Sequence, residues 1–316
     1  MVSRLLVWLM VLAPGAWAQP VAPIKVAMLA PNALLWTHAV AVAKGFYAER
    51  HIRIEELRTA SSPSLLQAVS SGSVQAGVSL GDLAMRAIDL GAPIIIAGAI
   101  QDHVSLRLVG GAGVTSIEQL AGQRVSAGAV EGGTANLLRY ELKRAGVDPR
   151  GALMISITAS SDRLVALGNG QVKGALMTAP FDAMAVQQGM KILDVFRSPY
   201  LLTPLIVNTV WAGKNPELAS KLVHAMRAGA AWIHDPAHKT EAIQILADYT
   251  KTDAAVCADA YEFLILQQRS ISPTMEVPAA SLENILVIDR EVGMAPGTDQ
   301  VFELGRYYDP RFLKGE

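Results

Sequence analysis

Short apolar runs of strand length alternate with amphipathic helical stretches along most of this chain. Ile24 to Leu29 (IKVAML) reads as a first strand buried on both faces. A loop, Ala30 to Trp36, leads into a helix over Thr37 to Arg50, with Val40, Ala43, Phe46 and Tyr47 on one face. Ile52-Arg53-Ile54 is the second strand. Ser62 caps and Pro63 opens the next helix, which carries Leu65, Leu66 and Val69 and stops at Gly72. Val74 to Ser79 is the third strand. Pro93 to Ala99 is almost continuously apolar, the mark of a sheet covered by helices on both faces.

Three polar residues, Gln101, Asp102 and His103, interrupt this pattern, and a second series follows. Its strands are predicted at Ser105 to Val109, Arg124 to Ala127, Leu153 to Ile157, Val172 to Met177 and Lys191 to Val195. Between them lie a helix starting near Thr134, one starting at Ser160 or Ser161, and a short one after Thr178-Ala179-Pro180. A further polar break at Ser198 to Pro204 precedes a strand, Leu205 to Trp211. Asn215-Pro216 then opens a long helix through Trp232, and helical segments follow near 239–249, 253–267 and 279–292. Alternating βα units predict an α/β fold with mostly parallel sheets flanked by helices. The two polar breaks predict two crossings between lobes. Lobe one would be residues 19–100 plus 205–316, and lobe two residues 101–204.

At 316 residues the chain is long enough for a core in each lobe, and at 51% hydrophobic and 17% charged it is globular. Its net charge of −1 and the lack of a basic block argue against nucleic acid as a partner. The N-terminus changes the picture more. Arg4, the apolar run Leu5 to Leu12 and the small-x-small site Ala16-Trp17-Ala18 predict an export signal over residues 1–18. No cysteine lies near that site, which argues against a lipid anchor. The single cysteine, Cys257, falls in a predicted helix and is expected as an unpaired buried thiol. The mature chain is thus expected in a bacterial periplasm.

Five stretches carry a resemblance to a known family: VAKGFYAERHIRIEEL (42–57), LLQAVSSGSVQAGVSLGD (65–82), SIEQLAGQRVSAGAVEGGT (116–134), LVALGNGQVKGALMTAPFDAMAVQQG (164–189) and NTVWAGKNPELASKLVHAMRAGAAWI (208–233). In this order they resemble the periplasmic substrate-binding proteins of ABC importers, in the group that takes nitrate, sulfonates, taurine and thiamine-pyrimidine precursors. The resemblance implies a two-lobed type II periplasmic binding fold with a two-segment hinge. It also implies an ABC permease and its ATPase as partners; no cofactor is expected, and the receptor is expected to be a monomer.

In open parallel sheets a ligand sits outside the carboxyl ends of the strands. Four loops are candidates on that ground. After the first strand, Asn32 offers an amide and Trp36 an aromatic face, although Trp36 beside Leu34 and Leu35 also suits a core. Ser79 and Gly81 sit where a helix begins, and Asp82 can cap that helix. In the turn Gly132-Gly133-Thr134, the glycines admit close approach to backbone N–H groups; a plain turn capped by Thr134 fits equally. Glu131 would repel an anion there unless it faces solvent or pairs with Arg139 or Lys143. It could instead accept a hydrogen bond from an organic ligand. Thr178 and Phe181 form the fourth loop, with the polar-plus-aromatic character of small-molecule sites. Gln101 and His103 lie at the first crossing, where His103 contacts the ligand or is simply solvated.

Other chemistry finds little support. His234 and His238 are four apart, but Pro236 breaks the helix a metal pair would need. There is no G-x-S-x-G elbow, no H-E-x-x-H and no P-loop. The expectation is a solute receptor without chemistry of its own, its ligand a small polar organic molecule: a sulfonate, a carboxylate or a nitrogen heterocycle. The alternatives are an enzyme of pyrimidine-precursor metabolism on the same scaffold and a periplasmic sensor.

Overall fold

The computed structural model describes residues 21–293 and 302–314; the predicted signal segment lies outside them. Eight strands form one sheet: β1 (Ala22–Met28), β2 (Ile52–Arg58), β3 (Ala76–Val78), β4 (Ile94–Gly110), β5 (Arg124–Ser126), β6 (Leu153–Met154), β7 (Gly174–Met177) and β8 (Lys191–Asn208). Their order is β2-β1-β3-β8-β4-β7-β5-β6. β1 pairs in parallel with β2 and β3, and β5 with β6 and β7. β8 is antiparallel to β3 and β4, and β4 to β7. Each half of the sheet thus has four strands in one direction and a single reversed strand, β8 in the first half and β4 in the second.

The crossings differ from the sequence expectation. Residues 101–103 and 198–204 are not breaks, because β4 and β8 run through them as single strands of 17 and 18 residues. At about 3.3 Å per residue each spans roughly 55–60 Å, long enough to serve both halves. Polarity misleads here because the pair satisfies its backbone groups along almost its whole length. The register slips at Ile96/Gly98, Ala99/Gln101 and Gln101/His103. Such bulges bend and twist a strand pair, so they turn one half relative to the other.

The helices are α1 (Trp36–Ala43), α2 (Ser62–Ser70), α3 (Gly81–Asp89), α4 (Gly133–Arg144), α5 (Ser160–Gly168), α6 (Phe181–Gln187), α7 (Thr209–Lys214), α8 (Pro216–His234), α9 (Lys239–Thr250), α10 (Ala254–Tyr261) and α11 (Ala279–Glu291). α1 stops well short of Arg50, because Gly45 takes a left-handed backbone at φ 75°. Residues 209–211, expected as strand, open α7 instead, where the Asn208 side chain accepts a hydrogen bond from the Trp211 N–H. At α2 the cap is Ser61, one residue before the expected Ser62, and Ser61 and Ser64 exchange hydrogen bonds in a capping box.

Three apolar cores organise these layers. Trp36, Val40, Leu222, Met226, Leu246 and Tyr261 pack under α1, α8, α9 and α10 on the first half. A second core follows β4 and β8 through both halves and includes Leu65, Leu106, Leu137, Phe196, Leu202 and Ile285. A third, with Leu164, Val172, Met177 and Phe181, belongs to the second half alone. α11 packs on α3, α4 and β8, so it straps the two halves together. Cys257 is a buried free thiol. No helix among the described residues is long and apolar enough to cross a membrane.

Candidate ligand-binding site

The chain leaves all six strands of the two parallel sets toward one place. Leu29, Ala30, Asn32 and Leu34 follow β1; Thr59, Ala60 and Ser62 follow β2; Leu80 follows β3. From the other half come Gly128, Ala129, Gly132 and Thr134 after β5, Thr158 to Ser160, Asp162 and Arg163 after β6, and Thr178 after β7. Between them lies a pocket of about 350 Å³, the size of small-molecule sites.

Polar groups in the wall are mostly tied to the backbone. Asn32 accepts from the Leu34 N–H at 2.8 Å and donates to the Ala30 carbonyl at 3.1 Å, fixing the first loop. The Thr134 hydroxyl donates to the Ala127 carbonyl rather than capping its own helix. Ser160 Oγ accepts from the Thr178 N–H at 3.2 Å and lies 2.7 Å from the Thr178 hydroxyl. Arg163, only 5% exposed, donates from Nη1 to the Ile157 and Thr158 carbonyls at 2.9 and 2.8 Å, and from Nη2 to Ser160 Oγ at 2.5 Å. Burial pulls its pKa down to about 10.

Polar contacts flank the pocket where the halves meet. The Ala33 N–H donates to the Ala179 carbonyl at 2.9 Å. On one flank, Asp82 is wholly buried, bonded to Arg86 at 2.6 Å and pressed against α4; a Cβ on Gly133 would stand 1.8 Å from its Oδ1. Arg86 also reaches the Glu131 carbonyl at 3.3 Å, and Asn136 donates to Asp289 at 3.1 Å. Burial raises the Asp82 pKa to about 7, against the pull of Arg86. On the other flank, Arg107 meets Asp259 at 2.5 Å and Asp182 at 3.2 Å, and lies 3.9 Å over the Phe263 ring. Asp182 is likewise raised, to about 6, by burial.

Of the residues singled out from the sequence, Asn32, Gly132, Thr134 and Thr178 line the pocket. Ser79, Gly81 and Gly133 are buried just behind it. A Cβ on Gly81 would meet the Leu201 carbonyl at 2.0 Å, so that glycine serves packing. Glu131 is exposed and outside the lining, close enough to Arg139 to favour its charge. Gln101 is buried in β4 opposite Thr203, and neither side chain has a hydrogen-bond partner; the Ser79 hydroxyl, one strand away, has none either. His103 bonds Asp102 at 2.7 Å and is partly exposed.

Two aromatic candidates stand elsewhere. Trp36 is fully buried, its indole N–H donating to the Ala242 carbonyl at 3.0 Å and its ring edge-on to Tyr261. Phe181 packs in the third core. Both lie on the inner faces of their helices, and among the described residues no aromatic ring lines the pocket. The sequence reading missed the loops after β2 and β6 and with them Arg163. The carboxyl-end argument that picked the other four loops applied equally to these two. Among the described residues, no cluster of three or more His, Cys, Asp or Glu is arranged to hold a metal.

The family model described as NMT1/THI5 like matches residues 36–239 of the chain. The chain belongs to the NMT1/THI5-like family. No curated protein matches this NMT1/THI5-like chain in sequence. Solved structures align with it in fold. A protein from Bordetella bronchiseptica RB50 aligns with a TM-score of 0.78 at 18% identity, over 92% of this chain and 96% of that one. The periplasmic nitrate-binding protein NrtA from Synechocystis PCC 6803 aligns at 0.76 and 16% identity, over 88% and 83%. The ligand-binding component of an ABC-type import system from Staphylococcus aureus, solved with zinc bound, aligns at 0.75 and 14%, over 92% and 98%. The architecture is that of a two-lobed periplasmic binding protein.

Proposed function

We propose that this NMT1/THI5-like chain is a periplasmic receptor that captures a small polar solute between its lobes for an ABC permease and its ATPase. One observation carries the reading: loops from both halves of the sheet line the same pocket. A solute bound there touches both halves only when they are together, so it favours the closed form by its differential affinity. A permease can then recognise that form. The S. aureus import component and nitrate-binding NrtA support this use of the fold.

The lobes proposed are residues 19–100 plus 205–316 and residues 101–204, with β4 and β8 as hinge segments, residues 1–18 as a cleaved export signal and a monomer as the working unit. Among the described residues, the lining holds no histidine, cysteine or lysine.

Small-angle scattering tests the mechanism. A thermal-shift panel of sulfonates, nitrate, carboxylates and pyrimidines first finds a compound that raises the melting point. Saturation with it should contract the protein relative to the free chain. Superimposable profiles with and without that compound would overturn the reading.

A further inference from the structure

Resting on the receptor reading, we propose that closure of the two halves takes up protons from solvent at two buried clusters flanking the cleft, so that the receptor holds its solute more tightly in acid.

The clusters are built alike, each with one arginine for two aspartates at the seam between the halves. On one flank, Arg86 of α3 bonds Asp82 at 2.6 Å and stands 3.9 Å from Asp289 of α11. From the other half, α4 closes over them: Gly133 presses on Asp82, and Asn136 donates to Asp289 at 3.1 Å. On the other flank, Arg107 of β4 meets Asp182 of α6 at 3.2 Å and Asp259 of α10 at 2.5 Å, both through Nη1. Arg107 and Asp182 belong to the second half, whereas α10 packs in the core of the first. The Asp259 contact therefore exists only while the halves touch.

With every group ionised, each cluster sets two negative charges against one positive. Asp82 and Asp182 are fully buried, and one oxygen of each, Asp82 Oδ1 and Asp182 Oδ2, has no hydrogen-bond partner. Burial first, and then the second aspartate, raises Asp82 to about 7 and Asp182 to about 6 against the pull of the arginines. Opening would lift α4 from Asp82 and Asp259 from Arg107, letting water reach both carboxyls and return them toward 3.8. Since the closed form has the higher values, protonation favours closure. The gain is complete below about pH 3.8 and is lost as pH rises through about 6 and 7.

The surroundings offer little to cancel this. Around Asp82 stand Arg86, Asp289, Tyr200 of β8, and Asn136 of α4 with Arg139 bonded to it. α2, also packed on α3, carries no charge, and Arg306 and Tyr307 are engaged with Asp89. Around Asp182 stand Arg107 and Asp259. α5 and β8 also pack on α6. On α5, Asp162 and Arg163 lie in the pocket lining; on β8, Asp194 and Arg197 line a separate hollow, and Lys191 is exposed. Neither Asp82 nor Asp182 lines the pocket, so the coupling acts through closure and not through contact with the solute.

Calorimetry of the mature chain with nitrate and with methanesulfonate tests this, because both stay ionised from pH 5 to pH 8. Whichever binds should do so at least about tenfold tighter at pH 5 than at pH 8. At pH 6, titrations in two buffers of different ionisation enthalpy should show about one proton taken up per solute. The double variant Asp82→Asn, Asp182→Asn keeps both positions neutral, and should lose most of the pH dependence and of the proton uptake. If it does not fold, the proton count on the unaltered chain decides. By solution scattering, the solute-free chain should be more compact at pH 5 than at pH 8. Equal affinity at the two pH values, no proton uptake, or a pH dependence unchanged in the double variant overturns the proposal and leaves the receptor reading standing. If neither anion binds, scattering of the free chain decides the coupling, and identical profiles at pH 5 and pH 8 overturn it. The receptor reading falls on a different result, a panel in which no compound raises the melting point.

Discussion

Asp82→Asn is the perturbation that most directly reads the contact between the halves. The Asp82 carboxyl is wholly buried against Gly133, shares Arg86 with Asp289, and is pushed by burial from 3.8 to about 7. Because the folded-state pKa is the higher one, protonation favours the folded chain. This stabilisation is complete below about pH 3.8 and is lost as pH rises through about 7. At about 1.4 kcal/mol per unit, the unaltered protein should gain on D82N by about 2–3 kcal/mol between pH 8 and pH 5. Urea unfolding of both proteins at pH 5, 6, 7 and 8, followed by tryptophan fluorescence, measures this difference. Carboxylates held low, such as Glu56 beside His38 and Arg58, act in the opposite direction but cancel between the two proteins. A difference that stays constant across the range means that Asp82 titrates normally and the interface admits water. A flat difference also results if the Arg86 pair outweighs burial, because a lowered pKa changes stability only below about pH 4–5.

Three further substitutions probe packing and the cleft. Gly133→Ala puts a methyl where Asp82 already sits, so it should cost about 1–3 kcal/mol in denaturant unfolding, and it should weaken solute binding by opening the interface. Unchanged affinity would separate that contact from closure. Gln101→Leu removes two buried polar atoms that have no partner, and should raise stability by about 1 kcal/mol. A loss of stability would mean the amide is satisfied in solution, and a loss of affinity alone would bring Gln101 into contact with the solute. Trp36→Phe removes the bond to Ala242 and part of a packed ring, and should cost about 2 kcal/mol while leaving calorimetric affinity unchanged. Weakened binding at unchanged stability would return Trp36 to the cleft.

Much of the α/β layering follows from local pattern. The runs at 24–29 and 172–177 read as strands because they are short and mostly apolar, and 52–54 because its apolar positions alternate; in the structure β1 pairs in parallel with β2, and β7 with β5. Pro63 and Pro216 mark helix starts because proline loses nothing at a first helical position. The carboxyl-end argument pointed to Asn32, Gly132, Thr134 and Thr178, which line the pocket, because it depends on strand direction, which a βα repeat reveals.

Other features needed the folded chain. β4 and β8 join polar and apolar segments into continuous strands, since a ladder partner far away in sequence satisfies their backbone groups. Trp36 had two readings on its own, and only the packing of α9 and α10 over α1 made it core. Arg163 appears in the sequence as one more charged residue near a helix start; three-dimensional packing strips it of water and of carboxylate partners. A residue's period and its neighbours along the chain determine which element it joins. Its solvation and its charge balance are set by segments dozens to hundreds of positions away, and these came only with the tertiary structure.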